Sequence, residues 1–281
     1  MSSRLKARGI VPRKSLGQNF LTDDATARRI VDAAEIAPED LVFEIGPGMG
    51  ALTVHLAKRA GWVVAIELDR ALIPALQREL GEARNVTVVH GDALEADFGV
   101  LAQEAERAFG RSFAAIRFVA NLPYYITSAA IRRILECGLR SAAIVLTVQA
   151  EVAERVVAQP PDMSLLAVSV QFYGEPELLF KIPPDRFYPQ PEVESAVLRI
   201  RPHAQPFAVD PQAFFRVVKA GFSQPRKQLR NTLAAGLGIT KARAGEILLA
   251  SGIEPGRRAE TLGITEWIGL VNYIMSNESI A

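Results

Sequence analysis

An apolar run that ends in glycines constrains this chain more than any other feature. Leu41-Val42-Phe43-Glu44-Ile45 has the length and apolar character of a buried strand, and it passes directly into Gly46-Pro47-Gly48-Met49-Gly50 and the helix-like Ala51–Ala57. Glycines in such a turn reach backbone conformations closed to other residues and let a ligand approach the main chain closely. Strand, Gly-rich turn and helix N-terminus together make a nucleotide-type site. A second run, Trp62 to Ile66, ends at Glu67, seventeen positions after Gly50, where an acid can accept hydrogen bonds from ribose hydroxyls. A third, Val86 to His90, ends at Gly91-Asp92, and that carboxylate can take an adenine amino group.

Further strand and helix patterns alternate along the first two-thirds of the chain. Ala115–Ala120 and Ala142–Val148 read as a fourth and a fifth strand. Helical segments are expected at Arg70–Leu80, Ala102–Phe109 and Ile126–Glu136, where Ile126, Ala129, Ala130, Ile134 and Leu135 recur at helical spacing. This predicts a Rossmann-like α/β fold, with a mainly parallel sheet covered on both faces. Leu165–Phe172, Leu178–Ile182 and Glu192–Ile200 carry extended or mixed character, and the last strands are expected to add an antiparallel edge. The two prolines of Arg201–Phe207 break the rhythm and place a linker there. Beyond it, Gln212–Phe222, Lys227–Ala235, Ala242–Ser251 and Glu266–Met275 read as helices, with Gly236, Gly238, Gly252 and Gly263 as their stops. The expected domains are residues 1–203, opening with a basic segment 1–21, and a small all-helical domain over 208–281.

Charge separates the same regions. Residues 1–30 hold seven Lys or Arg against two acids, and residues 216–258 hold nine against two. The stretch between them carries twenty-four acids against sixteen bases, so the formal net charge of +1 conceals two basic ends around an acidic centre. Such ends suit a protein that grips phosphates, because backbone neutralisation dominates nucleic-acid affinity. No run of eighteen apolar residues and no charged-then-apolar leader is present, so a cytoplasmic protein without a membrane partner is expected. Cys137 is alone, and His55, His90 and His203 are scattered, so neither a disulfide nor a metal is expected. His90, in its apolar run, is expected to be a hydrogen-bonded core residue.

The fourth strand leads into Asn121-Leu122-Pro123-Tyr124. The exocyclic nitrogen of adenine is a poor nucleophile because its lone pair is delocalised into the ring. Acceptors for its hydrogens turn that lone pair toward an electrophile. The Asn121 side-chain oxygen supplies one, and the Leu122 carbonyl, aimed by the backbone restriction before Pro123, supplies another. Tyr124 can stack on the ring. The glycine pattern alone does not separate cofactors, since Gly46-x-Gly48-x-x-Ala51 also satisfies a dinucleotide fingerprint. No convincing His or Tyr-Lys pair serves a hydride transfer, so a methyl donor fits better.

Six motifs in order then carry a resemblance over nearly the whole chain. Lys14-Ser15-Leu16-Gly17-Gln18-Asn19-Phe20-Leu21, Glu44 to Gly50, Glu67, Gly91-Asp92, Asn121 to Tyr124, and the F-x-P-x-P-x-V-x-S run Phe187 to Ser195 closely resemble the KsgA-type ribosomal RNA adenine N6,N6-dimethyltransferases. Phe222 to Leu233 and Arg258-Ala259-Glu260-Thr261-Leu262 are similar to the C-terminal runs of these small-subunit enzymes, whereas the related erythromycin-resistance methylases modify large-subunit RNA. Tyr125 and Pro225 depart from the family pattern, which often has Asn and Arg there.

The resemblance implies a class I methyltransferase domain with a seven-stranded sheet, S-adenosylmethionine as cofactor, and two adjacent adenosines near the 3′ end of small-subunit (16S) rRNA as target. It implies Asn19, Leu21, Gly46, Glu67, Asp92 and Asn121 as cofactor ligands, with Gly48 in the same glycine turn. Gln18 and Phe20 are expected to close over the methionine end. Tyr124 and Phe187 are expected to sandwich the base, and core packing is the alternative for Phe187. For Asn19 the alternative is a helix cap, a role for which Asp23 is better placed. Arg226, Lys227 and Arg230 are the expected RNA contacts, the partner is rRNA in a pre-ribosomal 30S particle, and a monomer is expected. The competing readings are a large-subunit rRNA methylase and a non-catalytic RNA-binding assembly factor that keeps the fold.

Overall fold

The structure, a computed structural model, describes residues 11–277; the basic residues Arg4, Lys6 and Arg8 and the acidic Glu278 lie outside them. Two units account for the described residues, one formed by those up to Ala153 together with Glu175–Pro202, the other by Glu154–Gly174 with the described residues from His203 onward.

The first unit is built on a seven-stranded sheet. Its strands are β2 (Leu41–Ile45), β3 (Trp62–Glu67), β4 (Val86–His90), β5 (Ile116–Asn121), β6 (Ser141–Gln149), β7 (Gly174–Ile182) and β9 (Ser195–Pro202), in the spatial order β4-β3-β2-β5-β6-β9-β7. The pairs from β4 across to β6 are parallel, and β6 pairs with β9 antiparallel. A separate two-residue ladder joins β1 (Phe20–Leu21) to β8 (Phe187–Tyr188). All five residues of β2 are buried, as expected of a central parallel strand covered on both faces. Phe43 stacks on Phe118 of β5 at 5.2 Å between ring centroids, and Phe98 meets both edge-on. Helices α1 (Asp24–Ala33), α2 (Thr53–Leu56), α3 (Ile73–Leu80), α4 (Phe98–Phe109) and α5 (Thr127–Leu135) alternate with the strands. Asp23 caps α1 by accepting from the Thr26 amide at 2.8 Å, which frees Asn19 from that task.

After β2 the chain turns first to β3 and β4 on one side and later to β5 and β6 on the other. The crevice beyond the carboxyl ends of β2 and β5 is therefore the switch point at which open α/β sheets bind ligands. Parallel register brings the ends of β4, β3, β2 and β5 to that one edge: Ile45 lies beside Ile66 and Ala120, and Glu67 beside His90. Because β4 is the outermost strand, His90 is exposed, which corrects the expectation of a core histidine.

Helix α6 (Ala150–Val157) is an element without a counterpart among the sequence expectations, and the chain passes from one unit to the other within it. The second unit contains α7 (Leu165–Tyr173), α8 (Pro211–Phe222), α9 (Leu229–Leu237), α10 (Lys241–Ala250) and α11 (Ile264–Asn277). Residues 165–172, expected to be extended or mixed and placed in the first domain, instead form α7, capped by Ser164 accepting from the Ala167 amide at 3.1 Å. Ala167, Val168 and Phe172 pack into a core with Phe214, Leu233, Leu248 and Trp267. Gly238 ends α9 in the left-handed conformation (φ 69°), as its stop role requires. Gly236 is no stop: it lies inside α9, where a Cβ would fall 2.5 Å from that of Ala220, so its role is close helix packing.

Candidate active site

A cavity of about 210 Å³ opens at the switch point. Residues 16–21, the turn after β2, the ends of β3 and β5, and Gly91–Leu94 form its walls. The polar groups expected at the strand ends line it together: Gly46, Gly48, Glu67, Asp92 and Asn121. So do Gln18, Asn19 and Leu21 from the N-terminal wall, and Leu122, Pro123 and Tyr124 beyond β5.

The glycine turn is shaped for a ligand. Gly46 and Gly48 hold φ of 67° and 58°, a region that L side chains rarely enter. Apart from the adjoining residues of the chain, no atom of the described residues lies within 4 Å of the point where a Cβ on Gly46 or Gly91 would stand, so both backbones face open space. Glu67, 5% exposed, accepts from the Gly48 amide at 2.9 Å and from the Asp69 amide at 2.8 Å, and so holds the turn. Burial raises its pKa against those two bonds, and each oxygen retains a further lone pair for a ribose hydroxyl. Asp92 accepts from the Leu94 amide through Oδ1 at 2.8 Å, which fixes its orientation at the cavity wall.

Glu44 is a site residue beyond those expected from the sequence, although an acid inside an apolar run is itself a signal. It is among the residues around the cavity and is 1% exposed, and its Oε2 has no hydrogen-bond partner among the described residues. Burial pushes its pKa up to about 8, with the neighbouring Glu67 adding to the rise, so the carboxyl is mainly neutral at pH 7. Two buried carboxyls beside one cavity favour a cationic guest, which would restore the ionised form.

The wall contributed by residues 16–21 is anchored from across the site. Asp69, 4% exposed, accepts from Gln18 Nε2 at 3.0 Å and pairs with Arg13 at 3.3 Å, while the Arg13 amide donates to Gln18 Oε1 at 2.8 Å. Both polar atoms of Gln18 thus help to hold the wall, and each keeps a further donor or lone pair. Asn121 Nδ2 donates to the Asn19 carbonyl at 3.0 Å. A carbonyl can only accept, so this bond determines which way the amide faces and leaves Oδ1 as the acceptor. Tyr124 is held by a 2.8 Å hydrogen bond between its hydroxyl and Ser195, a fully buried residue of β9.

Phe187 departs from the expected stacking partner of Tyr124. It is 4% exposed, sits opposite Leu21 in the β1–β8 ladder, and packs among Ala27, Ile30 and Ile182 rather than lining the cavity. Its neighbour Tyr188 packs against Phe20, Met49 and Leu72. The β ladder alternates faces, and here it turns Phe187 inward.

Comparison with known proteins decides between a generic adenosine site and a particular family. The family model described as ribosomal RNA adenine dimethylase matches residues 11–276. The chain belongs to that family. It is 46% identical over 270 residues to the ribosomal RNA small subunit methyltransferase A of Moorella thermoacetica, covering 95% of this chain and 93% of the relative. The corresponding protein of Listeria monocytogenes is 43% identical over 277 residues, with 96% and 93% covered. Among solved structures, the 23S rRNA methyltransferase ErmE is 28% identical, with a TM-score of 0.70 over 92% of this chain and 100% of that one. A dimethyladenosine transferase from Plasmodium falciparum shares the fold at 23% identity and a TM-score of 0.78, covering 92% and 98%. In this dimethylase the expected RNA contacts Arg226, Lys227 and Arg230 are exposed on the helical unit, around the N-terminus of α9. None of the three forms an ion pair among the described residues, and no acid stands in the first turn of α9. Cations at the positive end of a helix are unfavourable unless an anion joins them.

Proposed function

We propose that this dimethylase transfers methyl groups from S-adenosylmethionine to N6 of two adjacent adenosines near the 3′ end of small-subunit (16S) rRNA, giving N6,N6-dimethyladenosine during ribosome assembly. The observation that carries the chemistry is the Asn121 amide, whose nitrogen is tied to the Asn19 carbonyl and whose oxygen is left to accept from N6. The cavity fits the cofactor: Gly46 and Gly91 leave room at the backbone, and the orphaned, buried Glu44 Oε2 matches a cationic ligand.

In this reading Glu67 accepts from the ribose hydroxyls and Asp92 from the adenine amino group. Asn19, Leu21, Gly46, Gly48 and Asn121 complete the cofactor site, with Gln18 bracing its wall. When bound, S-adenosylmethionine supplies an activated methyl group on a sulfonium. The chain's own contribution is alignment and exclusion of water, with the reacting atoms held about 3–3.5 Å apart. Asn121 Oδ1 and the Leu122 carbonyl draw on the two N6 hydrogens, Pro123 restricts that carbonyl, and the Tyr124 ring, fixed through Ser195, stacks on the splayed base. No strong base is required, since N6 becomes acidic as it is alkylated. Phe187, enclosed in the core, supports the Leu21 wall rather than the base.

Arg226, Lys227 and Arg230 bind rRNA phosphates from a helical RNA-binding domain, and the substrate is a cytoplasmic pre-ribosomal 30S particle met by a monomer. Mass spectrometry of rRNA from cells that lack this gene tests the function. The expected result is loss of N6,N6-dimethyladenosine from small-subunit rRNA, restored by the wild-type gene. Unchanged small-subunit modification would refute it, and loss from large-subunit rRNA would favour the erythromycin-resistance type of activity.

A further inference from the structure

Tyr125 is not used by the chemistry above, and its setting is unusual for an aromatic residue. The residue is 59% exposed, yet it also lines the cavity, one position after Tyr124 in the short 3-10 turn Tyr124–Ile126. No described residue hydrogen-bonds its hydroxyl. The ring is nonetheless held in place. It lies over Gly17, where a Cβ would stand 3.1 Å from its Cδ1, and beside Pro123. Gly17 holds φ of 56°, so two features of that residue, its conformation and its missing side chain, leave room for the ring. A large apolar surface is thus kept in water at the edge of the cavity, beside Gly17.

We propose that Tyr125 is a second stacking platform, which receives the base next to the target adenosine. The inference rests on the reading of this chain as an rRNA adenine methyltransferase. Drawing one base out of its stack strips its neighbour of a partner, and an aromatic face at the mouth replaces that contact at little entropic cost because its ring is already oriented. Tyr124 then holds the reacting base inside the cavity and Tyr125 the adjacent one outside it. Where two neighbouring adenosines are modified in turn, the platform positions one while the other reacts. Stacking tolerates any base, so Tyr125 positions the strand and does not read its sequence.

Steady-state methylation of small-subunit ribosomal particles that lack the dimethyladenosines tests this, with the full chain as wild type, Tyr125→Ala and Tyr125→Phe. Tyr125→Ala should raise KM for the particles about tenfold, the order of effect that loss of one base–aromatic stack produces. Tyr125→Phe should restore the wild-type KM, and calorimetry with S-adenosylmethionine alone should give the same affinity for all three. An unchanged KM in Tyr125→Ala overturns the proposal. So does a weakened cofactor affinity that accounts for the KM change, which would mean that the ring only props Gly17. Failure of Phe to rescue overturns it as well, because the hydroxyl and not the ring face would then matter. If the wild-type chain places no methyl groups on the particles, the proposed function falls, and this inference with it.

Discussion

Glu44→Gln is the perturbation whose size follows most directly from the structure. The carboxyl is 1% exposed in the central strand β2, and burial lifts its pKa from 4.5 to about 8. A folded-state pKa above the unfolded one means that the native protein binds the extra proton. The stability linked to that proton is fully present below about pH 4.5 and is lost as pH rises through about 8. At roughly 1.36 kcal/mol per pH unit, the whole window is worth about 5 kcal/mol. About 3 kcal/mol of it falls between roughly pH 5.5 and pH 8.5. Gln cannot ionise, so Glu44→Gln escapes this loss, although its amide adds an offset that does not vary with pH. Urea unfolding of the cofactor-free proteins at those two pH values measures the effect. The variant should gain about 3 kcal/mol on the wild type between the lower and the higher pH. Glu67, also raised by burial, titrates in both proteins and cancels in the comparison to first order. A difference between the two proteins that is the same at both pH values would refute the reasoning and mean that Glu44 is solvated or paired.

Three further outcomes are expected. Asn121→Ala should reduce the single-turnover methylation rate at saturating RNA and cofactor by about a hundredfold, with RNA affinity nearly unchanged, because the N6 bond strengthens as the nitrogen pyramidalises; a near-wild-type rate would reduce Asn121 to a turn-shaping residue. Glu67→Ala should weaken S-adenosylmethionine binding by about 1.5–3 kcal/mol, read by calorimetry on a folded variant, since the ribose loses a charged acceptor and Gly48 loses its anchor; equal affinities would remove Glu67 from the ribose. Joint replacement of Arg226, Lys227 and Arg230 by Ala should lower the salt slope of RNA binding by up to about 3 and leave cofactor affinity intact; an unchanged slope would make the patch a solvated face.

Much of the architecture was written locally. Apolar runs bounded by glycine and polar residues marked β2 to β6, and four of those strands end on the groups that the cavity gathers, because parallel strands with matched register must end at one edge. Caps and stops such as Asp23 and Gly238 are likewise interactions within a few residues, legible wherever they occur. Residues 165–172 form a helix against the expectation because periodicity over eight apolar-rich residues does not separate a buried helix from a strand. The core of Phe214 and Trp267 that makes them a helix comes from chain more than forty residues away.

What the sequence determined by itself is therefore the set of chemical groups and the side of the sheet on which they emerge. The tertiary structure alone decided how those groups are aimed. Asn121 is oriented by a carbonyl 102 positions away, Tyr124 by a hydroxyl 71 positions away, and Gln18 by a carboxylate 51 positions away. The same holds for burial, which hid Phe187 in the core and left Glu44 Oε2 without a hydrogen-bond partner among the described residues. A side chain's periodicity records that it is covered, but its pKa, its rotamer and its free lone pairs depend on what covers it. That is supplied by distant segments whose pairing only the closed fold brings about.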